Sequence, residues 1–451
     1  MNSENYSTVR FIGYAIPTGP RHEHLALGKY LKGEYLGSAD FEEDIFARVT
    51  ILKNAVDSAK NALPVDEDIT GVNNVFLAPE FFFHGALGPY IYTSGMQDPS
   101  ERILELLAET FDAKNYPNWT FIFGTVVTAQ VENIERLFSS VAVTSRKALV
   151  QNLVTSAQLE VGNNRVVTER LIDSFLNDLR VNPALEVRDR ALVFSNIALS
   201  APSNAFSVKA LTTEKYLVSP IDFLLIERSN KDVVTEEMIA YPNVDLSNGD
   251  IKIKPTDSYS IFRQNYGTQD QVNYLDFGVE ICLDHDDARL RQNMTRQPFP
   301  QPTDTVHIQI VPSCGSAIVA GSVVAGRSGF VFNCDGFFCF GNASVPQADN
   351  ISGVQCIYTD YAIKKGAVSY QAHTQLARVA TPARGNNPFL STATFEILET
   401  TDVMCVDLTA PILRSGEVDD YFAGGIGCVH IYGHTTPFPL YLPQVAADAD
   451  T

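Results

Sequence analysis

Cysteine is missing from the first 281 residues of this 451-residue chain; the seven that occur are Cys282, Cys314, Cys334, Cys339, Cys356, Cys405 and Cys428. An odd number confined to one half makes no disulfide framework, so they read as reduced thiols of a cytoplasmic protein. Positive charge is also scarce. Lys and Arg number 33 against 53 Asp and Glu, a formal net charge of −20, which removes the clustered cations that neutralise nucleic-acid phosphates. No run of about 18 apolar residues occurs, and the opening segment MNSENYSTVRFIGYAIPTG lacks a basic region followed by an apolar stretch, so neither a membrane span nor an export signal is expected. The Asn-x-Ser/Thr triplets at Asn5, Asn118, Asn293, Asn342 and Asn350 therefore carry no weight, because they matter only in a secreted chain. Heptads, solenoid periods, a P-loop and a dinucleotide-binding glycine fingerprint are absent as well. The RHEH run at 21–24 and the DHDD run at 284–287 match no familiar metal-ligand spacing, so no metal and no cofactor are expected.

What is present is an ordinary globular balance, 45% hydrophobic and 19% charged, with enough chain for a large core. Short apolar runs rich in β-branched and aromatic residues recur at 9–15, 75–78, 119–127, 192–199, 277–283, 305–311, 329–333 and 403–408, as buried strands require. Helical spacing of apolar residues marks 40–62 and 100–111. The alternation predicts a layered α/β protein with mixed rather than purely parallel sheets. Residues 128–190 contain little Gly or Pro and read as a helical insertion. Residues 241–266, broken by Pro242, Asn243, Asn248, Gly249 and Pro255, read as a surface loop or hairpin. Residues 430–451 read as a C-terminal arm or tail of one domain spanning 1–451.

Three segments hold the chemistry. VFLAPEFFF delivers Glu80 at the end of an apolar strand, where a carboxylate is costly to bury unless paired. TTEKYLVSPIDF carries Lys215 and, seven positions on, Asp222. DFGVEICLDHDD runs an apolar strand into Cys282 and then turns polar, which puts the sulfur where a strand leaves a sheet, the usual place for chemistry in α/β proteins. Taken singly, Glu80 and Lys215 read more readily as solvated side chains, Cys282 reads equally as a packed one, and Asp222 decides nothing.

Taken in order, these segments resemble the Glu-Lys-Cys triad of the nitrilase/amidase superfamily: a strand ending in Pro-Glu, a Lys followed by a second acidic residue, and a Gly-x-x-x-Cys-x-Asp segment. VFSNIAL at 193–199 is similar to the strand preceding that Lys. VHIQIVPS and GRSGFVFNCDG resemble the strand, helix and strand that follow the Cys. The resemblance covers about residues 9–408. It departs in the long insertion, in Asp rather than Glu at 222, and in His285 and Asp286 after the cysteine motif. It implies a nitrilase-like αββα sandwich with mixed sheets, and a cysteine-dependent hydrolase of non-peptide C–N bonds in a small-molecule amide or nitrile. The implied roles are Cys282 as nucleophile, Glu80 as general base, Lys215 with the Leu283 N–H as stabilisers of developing charge, and Asp222 as a supporting carboxylate. Phe82, His84, Leu283, His285, Ser313 and Cys314 follow the motif positions and are candidate substrate-binding residues. The resemblance also implies a homodimer or higher homo-oligomer. An N-acyltransferase using the same thioester and a silent binding scaffold stand as alternatives.

Overall fold

The computed structural model describes residues 8–19, 21–24, 30–64, 71–86, 88–93, 95–131, 185–200, 208–217, 251–253, 260–268, 271–292, 305–340, 350–351, 354–359, 363–365, 368–398 and 402–439. Side-chain alternation along the first strand sets the architecture. Strand β1 (Thr8–Ala15) sends Val9 and Phe11 into one apolar cluster and Ile12 and Tyr14 into another, because successive residues of a strand point to opposite faces. Strands β2 (Val72–Leu77), β3 (Trp119–Val131) and β4 (Leu185–Ser200) repeat the division. Val75, Leu77, Ile122 and Val193 join the first cluster; Phe76, Phe121, Leu192 and Phe194 join the second. Both faces are covered, which is why these strands read as nearly unbroken apolar runs. Pairing is parallel for β1 with β2 and β2 with β3, then antiparallel for β3 with β4 and β4 with β5 (Val208–Glu214).

A second mixed set follows: β6 (Ile261–Thr268), β7 (Gln271–Val279), β8 (Val306–Ser313), β9 (Ala325–Phe340) and β10 (Val368–Thr381). Here β7–β8 and β8–β9 are parallel, while β6–β7 and β9–β10 are antiparallel. The chain then returns to the first sheet, where β11 (Met404–Asp407) pairs with β12 (Cys428–Tyr432) and β12 with β1. Phe277, Val279, Ile308, Ile310, Phe330 and Phe332 of the second sheet meet Phe11, Val75, Leu77 and Val193 of the first in a single apolar cluster. The two sheets therefore pack face to face, and β4 and β6 also pair directly at Gln264↔Leu199.

Helices α1 (Phe41–Ala62) and α2 (Pro99–Thr110) cover the outer face of the first sheet with Ile45, Leu52, Val56, Ile103 and Leu107. The α1 start is set by Asp40, whose carboxylate accepts from the N–H groups of Glu42 (3.0 Å) and Glu43 (3.3 Å), a cap worth about 1 kcal/mol. On the outer face of the second sheet, Val311, Val331, Ala377 and Val379 pack against Ile318, Val323, Val324 and Leu290. That cover comes from residues 318–324 and from Leu290 in the second of two one-turn helices, α3 (Leu283–Asp286) and α4 (Arg289–Gln292). The fold is thus mixed α/β with two mixed sheets, and the long helices among the described residues lie on the first sheet only. None of them is long and apolar enough to cross a membrane.

Several expectations change. The helical insertion expected over 128–190 is strand at both ends, since β3 runs to Val131 and β4 starts at Leu185; residues 132–184 lie outside the described residues. These ends pair antiparallel from Thr128↔Arg188 to Val131↔Leu185, so a cross-strand ladder overrides a composition poor in helix breakers. Of the surface loop or hairpin expected over 241–266, Ile251–Ile253 and the start of β6 are strand; residues 241–250 and 254–259 lie outside the described residues. The strand expected to reach residue 283 ends at Val279, and Leu283 opens α3. Of the C-terminal arm, residues 430–432 belong to β12 and Phe438–Pro439 pairs with β1; residues 440–451 lie outside the described residues.

One glycine fixes where the β2 strand end can go. Gly124 has φ +74° at a register shift in β3, and a Cβ built there would overlap the Pro79 carbonyl oxygen and lie 2.9 Å from Phe82 Cβ. The bulge lets the Pro79–Phe83 turn lie on β3, where Thr125 Oγ1 accepts from Phe81 N–H (2.9 Å) and Thr125 O accepts from Phe83 N–H (2.9 Å). Gly124→Ala is expected to cost about 2–4 kcal/mol, combining an unfavourable φ with a backbone clash. An unchanged urea midpoint would remove that role from the bulge.

Candidate active site

Glu80 leaves β2 immediately after Pro79 and is fully buried. Its backbone is held on two sides: its N–H donates to Ser313 O (3.3 Å), and its carbonyl accepts from Thr18 Oγ1 (2.5 Å). The next residue, Phe81, is non-glycine at φ 58°, a sparsely populated conformation that holds only when its surroundings over-determine it. From behind, Arg48 of α1 donates to the Phe82 carbonyl (3.0 Å) while paired with Asp44 (2.6 Å).

Lys215 follows the last residue of β5. Its N–H donates to Asp189 O on β4 (2.9 Å), and its Nζ donates to Glu80 Oε1 at 2.6 Å, with the two side chains 1% and 0% exposed. The segment after it is clamped by Asp284, whose carboxylate accepts from the N–H groups of Tyr216 (3.1 Å) and Leu217 (2.8 Å) and pairs with Arg289 (2.7 Å). Arg289 also donates to Glu214 O (2.9 Å) and lies over the Tyr216 ring at 3.5 Å. Asp284 stands two residues after Cys282, so the cysteine segment itself fixes the lysine segment.

Cys282 occupies the corner between β7 and α3 at φ 47°, ψ −109°. Its N–H donates to Pro312 O (3.1 Å), and its sulfur faces Cys314 O at 4.0 Å. Glu80 and Cys282 therefore hang from the same stretch, 312–314, at the end of β8. Burial, then the Glu80 carboxylate, push the Cys282 thiol well above its ordinary value; Lys215 opposes them and Asp335 adds to them. The resting group is a thiol, and it becomes a good nucleophile only as a base removes its proton.

The remaining candidates fare differently. Asp222 lies outside the described residues. Phe82 packs against Tyr14, Phe83 and Phe422 in the cluster under α1; the aromatic ring facing the ammonium is that of Phe81, 5.5 Å from Lys215 Nζ. His84 is buried against Tyr35 with Nδ1 near Gly85 O (3.1 Å) and Arg48, and burial pushes its pKa well down, so it sits neutral in the core. His285 is fully buried with both nitrogens engaged: Nε2 accepts from Val319 N–H (3.0 Å), which leaves Nδ1 to donate to Glu280 Oε2 (2.7 Å). It locks α3 to the outer cover and has no nitrogen left for a substrate. The Leu283 side chain packs against the inter-sheet cluster. Ser313 and Cys314 do border the site, but through their carbonyls.

Two further buried carboxylates support the site. Glu280 accepts from His285, from Gln309 Nε2 (2.7 Å) and from Leu290 N–H (2.6 Å), and so anchors the elbow that carries Cys282. Asp335 on β9 accepts from the turn after β8. Their signal was an acidic residue inside an apolar run, VEIC and FNCDG, which demands buried partners. No protein-family model and no curated protein matches the chain. Among solved structures, the chain is similar to one described as "Crystal structure of N-terminal amidase", with 10% identity and a TM-score of 0.27 over 68% of this chain; the match spans 48%, about half, of that structure's length.

Proposed function

We propose that the chain is a cysteine-dependent hydrolase of non-peptide C–N bonds, acting on a small-molecule amide or nitrile, and that its two sheets form a nitrilase-like sandwich. The observation that carries this reading is the buried Glu80–Lys215 pair at 2.6 Å beside a thiol held at φ 47° on a strand end. A fully buried ion pair is costly to maintain for stability alone, and a backbone held off its preferred region marks sites where geometry serves chemistry.

With an amide, Cys282 sulfur attacks the carbonyl carbon as Glu80 takes the thiol proton. The oxygen gains negative charge, and the Lys215 ammonium with the Leu283 N–H stabilises it in a site with little water. The C–N bond breaks as Glu80 returns its proton to the departing nitrogen, which leaves a thioester on Cys282. Glu80 then takes a proton from water as its oxygen attacks the thioester carbon, and the C–S bond breaks as Glu80 returns that proton to the leaving sulfur, which releases the acid and restores both the thiol and the carboxylate. Lys215 beside Glu80 keeps the carboxylate ionised and so able to accept the first proton.

Intact-mass spectrometry after mixing with a panel of amides and nitriles is expected to show an acyl adduct that peptide mapping places on Cys282. An adduct on another residue, or none across a broad panel, would remove the reading.

A further inference from the structure

We propose that Asp335 is a positioning residue of this site: its carboxylate holds the turn 313–316, which carries both the carbonyl that receives the Glu80 N–H and the carbonyl that faces the Cys282 sulfur. The inference rests on Cys282 being the nucleophile. Asp335 is fully buried on β9. Its Oδ2 accepts from Ser313 Oγ (2.8 Å), Gly315 N–H (2.7 Å) and Ser316 N–H (2.8 Å). Three donors converging on one oxygen are the arrangement an anion requires in a dry interior.

The turn passes that position on in three directions. Ser313 O accepts from Glu80 N–H (3.3 Å), Cys314 O faces the sulfur (4.0 Å), and Ser316 Oγ donates to Asp286 Oδ1 in α3 (2.6 Å). One carboxylate thereby sets the strand-end base, the thiol elbow and the helix after it against one another. The thiol faces Glu80 from the end of β2, Lys215 from the segment after β5, Asp335 from β9 and Cys314 from the turn, while His373 on β10 lies with Nδ1 3.7 Å from Asp335 Oδ1. A second carboxylate near the sulfur disfavours a free thiolate. It adds to burial and to Glu80, which come first in holding the sulfur protonated, and so helps to limit off-pathway alkylation and oxidation.

Two readouts on the full-length chain test this. The first is the rate of Cys282 alkylation by iodoacetamide at fixed pH, followed by peptide mapping and needing no substrate. Asp335→Asn keeps an acceptor oxygen for the turn and removes the charge; it is expected to raise that rate about twofold, a modest change because burial and Glu80 come before Asp335 in holding the thiol up. The second is the rate of acyl-adduct formation with an amide that labels the wild-type chain. Asp335→Ala releases the turn and is expected to slow it about 100-fold, with Asp335→Asn recovering most of the loss. An unchanged alkylation rate in Asp335→Asn overturns the inference, as does equal loss of adduct formation in both variants. Where the alanine variant does not fold, Asp335→Asn against wild type decides. Where no amide labels the wild type, the hydrolase reading falls and the alkylation readout still judges Asp335.

Discussion

Cys282→Gly is expected to be inactive and yet more stable than the wild-type chain, whereas Cys282→Ala is expected to be inactive and close to wild type in stability. Both variants remove the sulfur on which the proposed thioester forms, so turnover should fall to background, a loss of about 10⁵-fold or more where nucleophile and base act as a unit. The stability difference comes from the backbone. Position 282 is held at φ 47°, ψ −109°, a region a side chain occupies at a cost of about 1–3 kcal/mol and glycine occupies freely. Alanine keeps the Cβ and therefore the strain; glycine releases it, less the small loss from the buried thiol. Urea midpoints for the three chains, read beside adduct formation, check both halves. A glycine variant less stable than the alanine variant would show that the corner is relaxed, and a turning-over alanine variant would end the thioester mechanism.

The same corner shows how far the sequence could be read. Apolar runs located β1, β2, β3, β4, β8 and β9 because strands covered on both faces leave a continuous hydrophobic signature. The long helices were legible from spacing, with Asp40 and Asp98 in place as caps. The pairing of β3 with β4 beyond Thr128 was not, because that ladder is held by backbone partners far apart in sequence. At the site, the segments bearing Glu80, Lys215 and Cys282 are legible as strand ends, but pocket residues inferred from them rest on adjacency alone. Adjacency fails where side chains alternate. Phe82 turns into the helix-side core while Phe81 faces the ammonium, and His285 is turned back to Glu280 by the α3 geometry. The residues that position the site, Asp284, Glu280 and Asp335, act through backbone N–H groups supplied by other segments, and nothing in a linear sequence records which N–H groups will converge.

Lys215→Met is expected to destabilise the chain by about 3–5 kcal/mol, the cost of leaving one member of a buried pair uncompensated. Glu80 is fully buried and its Oε1 rests 2.6 Å from the ammonium, so removing the cation forces a choice between burying a carboxylate that has lost its counter-ion and taking up a proton on folding. Proton uptake on folding means that the native state binds more protons than the unfolded one, and stability then falls as pH rises. The deficit relative to wild type should therefore be smallest near pH 5 and widen toward pH 8. Glu80→Gln combined with Lys215→Met removes both charges and should recover most of the lost stability, with a coupling well above the 0.3–0.5 kcal/mol or so within which independent sites add. Activity should not follow stability. The double variant lacks both the base and the cation that meets the developing oxyanion, so it should form no acyl adduct even where its unfolding midpoint approaches wild type. Chemical denaturation across pH 5–8 with adduct formation at each pH tests the two together. A flat deficit would show that Glu80 stays ionised without its partner, and a double variant no more stable than the sum of the singles predicts would show that the 2.6 Å pair is not the coupling that holds the site.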